Sequence, residues 1–204
     1  SMKGQMKFAH PAADCLMGEL HLALHRSGGK LRLDLAALHF RMLSGHEQNP
    51  SLQAQALWGL AQCHQAQNEP ARAREALHQA LEIVPGKDLR ARIQYQLALG
   101  QSRMRFHAGA VIGFQNVRTN VLEGISAELL NAAHFMQFKN TLAGENLDGA
   151  EALLAQMRAQ SGASHLDKAL LAMARARIDR RETEVAESIL VAFYQQAPGS
   201  GLQA

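Results

Sequence analysis

The sequence predicts an all-α protein assembled from repeated antiparallel helix hairpins, and three observations carry that expectation. Hydrophobic residues make up 47% of the 204 positions but aromatic residues only 5%, a balance that favours Ala- and Leu-rich helices over a β-sandwich. Runs of Ala, Leu, Gln, Arg and Glu are good helix formers, whereas stretches of Val, Ile, Thr and Tyr alternating at period two are nearly absent. Finally, one helix-turn-helix block recurs along the chain.

The clearest block runs from Ala54 to Pro85. Leu57, Leu60, Ala61 and His64 fall at i, i+3, i+4 and i+7 and share one helix face. Gln67-Asn68-Glu69-Pro70 makes a tight turn, after which Ala73, Leu77 and Ala80 resume the helical spacing until Pro85 stops it. Ala at the crossing points lets two antiparallel helices approach closely, while larger residues fill the space toward the next hairpin. The pattern resembles the tetratricopeptide repeat (TPR). Leu57, Leu60, Ala61, Ala73, Leu77, Ala80 and Pro85 match its signature position by position, and His64 stands where that family carries Tyr.

Weaker copies follow the same template. The amino-terminal copy has Leu20, Ala23 and Leu24, then Gly28-Gly29, then Ala36, Phe40 and Leu43, with Pro50-Ser51 setting it off from the next. Leu97 and Ala98 precede Ala110, Phe114 and Val117, and the turn Glu145-Asn146-Leu147-Asp148-Gly149 leads into Ala150, Leu154 and Met157. In the last copy Leu170, Met173 and Ala174 lead into Ala186, Leu190, Phe193 and Pro198, with Ser164 and Asp167 as a capping pair. Units are expected over 11–50, 51–86, 87–124, 125–162 and 163–198. Residues 1–10, opening on Ser1-Met2, read as a tag remnant and lead, and 199–204 as a flexible tail. The resemblance implies one right-handed superhelical solenoid of about five hairpins with no internal domain boundary, because a single hairpin cannot bury its apolar face alone. A different helical-hairpin solenoid is the alternative fold.

Charge and chemistry narrow the function classes. A formal net charge of +3, from 21 basic and 18 acidic residues, is too balanced and dispersed to make nucleic acid the default partner. Cys15 and Cys63 lie in helical patterns with apolar neighbours and no CxxC spacing, so they read as buried free thiols. No apolar run approaches the length of a membrane helix, and the amino end lacks signal-peptide design, which together lead to the expectation of a cytoplasmic protein without a membrane partner. His21 and His25 are four apart but have no third ligand at a recognisable spacing. His46-Glu47 begins like a metalloprotease motif, yet Pro50 occupies the position of the second histidine. Gly28-Gly29-Lys30 lacks the upstream Gly of a phosphate loop, and Leu31 replaces its hydroxyl residue. With no nucleophile elbow or dinucleotide fingerprint either, no catalytic residue, metal or cofactor is assigned, and no enzyme activity is expected.

What remains is the groove. In the TPR family the first helix of each repeat lines the concave face, and its second, fifth, ninth and twelfth positions commonly meet a ligand. The resemblance places Trp58, Tyr95, Phe135 and Leu171 in one row at the fifth position, flanked by Gln55, Gln62 and Gln65, then Arg92 and Ser102, then Lys139, then Lys168 and Arg175. Aromatic anchors suit apolar side chains, glutamines hydrogen-bond a backbone, and cations favour acidic groups. A protein or peptide with an apolar and partly acidic segment is therefore the expected partner. The aromatics would equally serve as packing between helices, and the cations as solvated charges. The carboxylate clamp of chaperone-binding members is incomplete: Lys139 and Arg175 occupy suitable places, but Gln62 and Leu99 do not.

The leading expectation is a non-catalytic scaffold or adaptor that binds a protein segment, and the Ala-, Gln-, Arg- and His-rich composition points to a bacterial source. The sensing or dimerisation segment of a transcription regulator and a secretion chaperone are the alternatives. A homodimer also stays open, since terminal hairpins expose apolar faces and Met104, Phe106, Val111 and Ile112 add apolar surface to the middle of the chain.

Overall fold

The computed structural model describes residues 10–27, 32–46, 48–83, 86–119, 124–160 and 165–196. Among them are ten α-helices and no strand: α1 (Pro11–Arg26), α2 (Arg32–Ser44), α3 (Pro50–Ala66), α4 (Pro70–Glu82), α5 (Lys87–Arg103), α6 (His107–Thr119), α7 (Ala127–Ala143), α8 (Leu147–Ala159), α9 (Leu166–Asp179) and α10 (Thr183–Gln196). Gly28, Gly29, Lys30, Leu31, Glu47, Pro85, Ser164, Pro198, the lead over 1–9 and the tail over 199–204 lie outside the described residues.

Helix starts follow from local chemistry. Proline opens α1, α3 and α4, where the absent N–H would have had no helical partner. Side chains of Asn49, Ser126 and Asn146 accept from the exposed N–H groups of Leu52, Leu129 and Gly149, capping α3, α7 and α8.

The described turns inside hairpins share one geometry. Asn68, Arg105, Glu145 and Arg181 all hold φ between +59° and +63°. In each case the next residue donates its N–H to the carbonyl five positions back: Glu69 to His64 at 2.8 Å, Phe106 to Gln101 at 3.0 Å, Asn146 to Thr141 at 3.2 Å and Glu182 to Arg177 at 2.9 Å. This is the Schellman closure, which satisfies carbonyls that the helix end leaves unpaired. The repeat is thus written in backbone geometry even where its side-chain signature is weak.

The chain forms two compact units, Ser1–Leu97 and Ala98–Ala204. In the first, α1 pairs with α2, α2 packs on α3, α3 pairs with α4, and α1 also touches α3. Cys15, Leu22, Leu33, Ala36, Ala37, Phe40, Leu43, Ala56 and Cys63 make one core, and Leu57, Ala61, Ala76, Leu77, Ala80 and Ile93 another. Ala73, Leu77 and Ala80 are buried as their spacing predicts. His64 is buried as well, its Nδ1 2.7 Å from Glu69 Oε2, so the residue in the Tyr position ties its helix to the turn.

In the second unit α6 packs on α7, α7 on α8, α8 on α9, α9 on α10, and α7 also touches α9. Its core joins Phe138, Leu154, Met157, Leu170 and Met173 to Ile189. Unusually for a core helix, α7 buries His134, Gln137, Asn140 and Thr141. Arg118 donates to Gln137, Asn140 Oδ1 faces His107 Nδ1 at 3.0 Å, and Thr141 donates to the Gln137 carbonyl at 2.9 Å. Gln137, Asn140 and Thr141 thus each have a protein partner.

One expectation fails at the first hairpin. Leu20 and Leu24 are 50% and 38% exposed and Ala23 is exposed too, while Cys15, Gly18, His21 and Leu22 face inward. The reason is Phe40: its ring lies where a side chain at position 18 would stand, an ideal Cβ there coming within 2.7 Å of it. Only glycine admits the ring, and this turns the leucines outward.

Candidate functional site

In the first unit, Gln55, Trp58 and Gln62 project from α3 and Arg92 from α5 into one cleft of about 710 Å³. Glu19, Leu22 and Arg26 of α1 line it as well, with Phe40, Lys87, Asp88 and Leu89. The α3 amides are tethered across it: Gln55 Nε2 donates to Glu19 Oε1 at 3.2 Å, and Arg26 donates to Gln62 Oε1. Arg92 Nε donates to Asp88 Oδ2 at 2.7 Å, so its charge is already engaged. Cations Arg26, Lys87 and Arg92 outnumber anions Glu19 and Asp88 by one around the rim.

Trp58 is half-buried and packs on the Leu57–Ala61–Leu77–Ile93 core, with its indole Nε1 buried and without a hydrogen-bond partner. An indole N–H in that state is an unmet donor. Tyr95 is half-buried, and burial pushes its phenol above the ordinary range. Gln65 Nε2 reaches Gln96 Oε1 at 3.4 Å, a long contact between α3 and α5.

In the second unit the remaining residues are more dispersed. Phe135 is half-buried, its ring centroid 6.5 Å from that of Phe138 and 5.0 Å from the His165 ring. Lys139 and Lys168 are exposed, Leu171 is 46% exposed, and Arg175 pairs with Asp179 at 3.2 Å. Ser102 is half-buried, and its carbonyl accepts from Arg105 in the α5–α6 turn. None of the twelve residues lies in the fully buried core.

Pairwise packing of successive hairpins can be compared with solved structures. The nearly identical TPR-like repeats of a Podosopora anserina protein described as a kinesin light chain superpose with a TM-score of 0.70, at 17% identity, over 92% of this chain and 96% of that one. A single-substitution variant of the same protein gives 0.69 at 17% identity. BtubC (BKLC) from P. vanneervenii gives 0.55 at 15% identity, over 95% of this chain and 94% of that one. The fold is TPR-like. No protein-family model matches the chain, and no curated protein matches it in sequence.

A TPR-like register also explains which cleft residues the sequence did not reveal. Pro11 and Pro50 open equivalent helices, and that alignment puts Glu19 level with Trp58 and Arg26 level with Gln65, both at groove positions. Aligning on the leucines instead shifts the first copy by two residues and hides them. His21 is buried and stacks on His39 at 5.7 Å, and burial lowers its pKa, with Arg32 and His39 adding to the effect. Among the described residues no group of three His, Cys, Asp or Glu is placed to hold a metal ion, and no helix is long and apolar enough to cross a membrane.

Proposed function

We propose that this chain is a non-catalytic interaction module that holds a segment of another protein, with the α3-lined cleft of the first unit as the principal contact. The observation that carries the reading is the convergence of Gln55, Trp58, Gln62 and Arg92 on one cleft. Trp58 supplies a large rigid apolar surface at low entropic cost, and aromatic anchors in pockets dominate interface energies. Each glutamine carries both a donor and an acceptor end, one of which is engaged with α1, so the other suits a peptide backbone. The excess of cations favours a segment that is apolar with some acidic residues.

The second unit carries its own ligand-facing candidates in this reading: Phe135 and Leu171 as apolar contacts, Lys139, Lys168 and Arg175 as cations. A cytoplasmic, bacterial adaptor accommodates all of these features. The TPR-like fold supports a protein partner over a small-molecule substrate, because stacked hairpins present extended surfaces rather than enclosed pockets.

Trp58 is the single tryptophan of the chain, so its fluorescence reports the cleft directly. Proteins captured from source-cell lysate are compared between the native chain and Trp58→Ala, with circular dichroism confirming that the variant folds. A captured partner's segment then titrates the native chain. Loss of capture with Trp58→Ala and a saturable shift in Trp58 emission support the reading. A partner held equally by both forms, without an emission change, places the binding surface elsewhere.

A further inference from the structure

Two imidazoles meet between α1 and α2 at positions that are apolar in the next repeat. His21 stands where Leu60 does, counting from Pro11 to Pro50, and His39 where Ala76 does, counting from Ala36 to Ala73. The rings stack with centroids 5.7 Å apart and planes 22° from parallel. His21 is 5% exposed, and its Nδ1 is buried without a hydrogen-bond partner. A leucine in that place would be indifferent to pH, whereas an imidazole is not.

The surroundings of His21 oppose a proton on it. Burial is the larger cause, and Arg32 and His39 of α2 add charge of the repelling sign. The acidic groups of the three neighbouring helices are placed against other residues. Asp14 Oδ1 lies 3.3 Å from His39 Nδ1, an ion-pair distance without hydrogen-bond alignment. Glu19 accepts from Gln55 at 3.2 Å and Asp34 from Gln67 at 3.4 Å, and α3 carries no acidic residue. Once α1 lifts away, His21 meets water and takes the proton freely. This helix is the first one described and packs on α2 and α3, and an end element of a repeat array is held from one side.

Lifting α1 dismantles the cleft, because Glu19, Leu22 and Arg26 line it and Glu19 and Arg26 tether Gln55 and Gln62. We infer that the stacked pair of His21 and His39 is a pH latch, holding α1 against the cleft near neutral pH and releasing it in mild acid, so that protonation switches the cleft off. The latch itself is independent of what the cleft holds, and its part in binding rests on the function proposed above. Because His21 is held neutral in the closed form, closure is fully favoured above the ordinary histidine value, near 6.5, and loses ground below it, where only the open form gains the proton. One proton makes opening rise about tenfold per pH unit until the pH reaches the lowered value of the closed form.

Hydrogen exchange read by mass spectrometry, divided by the intrinsic rate at each pH, measures the opening of α1 and of α4 in the same chain between about pH 7.5 and about pH 5. Trp58 emission over the same range reports the cleft. The comparison is with His21→Leu, which installs the residue of the next repeat, and His21→Gln takes its place if circular dichroism shows that the leucine variant does not fold. Opening of α1 in the native chain is expected to rise about tenfold per pH unit below about 6.5, with α4 unchanged and Trp58 emission moving to longer wavelength in step. The variant is expected to be flat in both readouts. Opening of α1 and α4 together overturns the latch, as does a variant with the native slope or an α1 that stays closed in acid. Opening of α1 without a change at Trp58 overturns its control of the cleft. No ligand takes part, so these results are separate from capture with Trp58→Ala, which tests the binding function.

Discussion

His64 Nδ1 lies 2.7 Å from Glu69 Oε2, and this pair bridges the last turn of α3 to the residue just before α4. Arg177 and Glu182 stand in the same relation across the α9–α10 turn, each flanking a residue at positive φ. In one repeat the bridging side chain is an imidazole and in the other a guanidinium, whereas the equivalent pairs Gln101 and Phe106, and Thr141 and Asn146, carry no turn carboxylate.

That bridge makes an acid-sensitive contribution at Glu69. The His64 hydrogen bond holds its carboxyl below the usual range, against a smaller opposing effect of desolvation, and Arg72 adds to the depression. A carboxylate whose folded pKa is depressed stabilises the fold above its unfolded pKa, near 4.5, and that contribution disappears as pH falls through the folded value. Urea unfolding of the native chain and Glu69→Gln should differ most at neutral pH and converge in acid. A difference that grows in acid contradicts the assignment.

His134 acts with the same slope for a different reason. Burial lowers its pKa, and the nearby Arg118 adds to the effect. Such a histidine costs nothing at high pH, where both states are neutral, but stability falls once the unfolded chain protonates below about pH 6.5. His134→Leu should flatten the loss of thermal stability between neutral pH and about pH 5. Its absolute stability at pH 7 is a separate matter, since the Gln160 contact at 3.2 Å is lost.

Turn geometry predicts stabilising glycines. Arg105, Glu145 and Arg181 sit at positive φ, where an L side chain costs about 1 kcal/mol or more. Replacing each with Gly should raise stability by about 0.5–1 kcal/mol after the entropy cost of glycine is deducted. Asn68→Gly should gain less, because asparagine already tolerates that region. Denaturant midpoints at constant slope measure the order.

Gly59→Ala should destabilise by about 1–3 kcal/mol, since its Cβ would fall 2.5 Å from the Phe40 ring. Adding Phe40→Leu should return part of that loss, as the ring atoms in conflict are removed. A double variant no more stable than the sum of the two single effects means that the collision is not with Phe40.

Cys15 and Cys63 are both buried, and burial pushes their thiols up to about 11. They should be silent to a thiolate-selective reagent in the folded chain and react fully in denaturant. Modification of either at the rate of a free thiol would show that its helix opens locally.

The all-α class, the hairpin recurrence and the burial of Ala73, Leu77, Ala80, Cys15 and Cys63 were decided by the sequence alone. Helical period and small-residue spacing are local properties, legible within a window of a few turns. The cleft was half legible: TPR-like register identified Gln55, Trp58, Gln62 and Arg92, but not Glu19 and Arg26, which α1 contributes. Those residues bond to partners 36 positions away, and no local pattern encodes such a pairing. The first hairpin shows the same limit. Whether Leu20 or Gly18 faces inward depends on where Phe40 arrives, and hydrophobicity by itself favours the leucine. Tertiary packing chose the glycine because the ring needs the space, and by doing so left Leu20 and Leu24 exposed on α1.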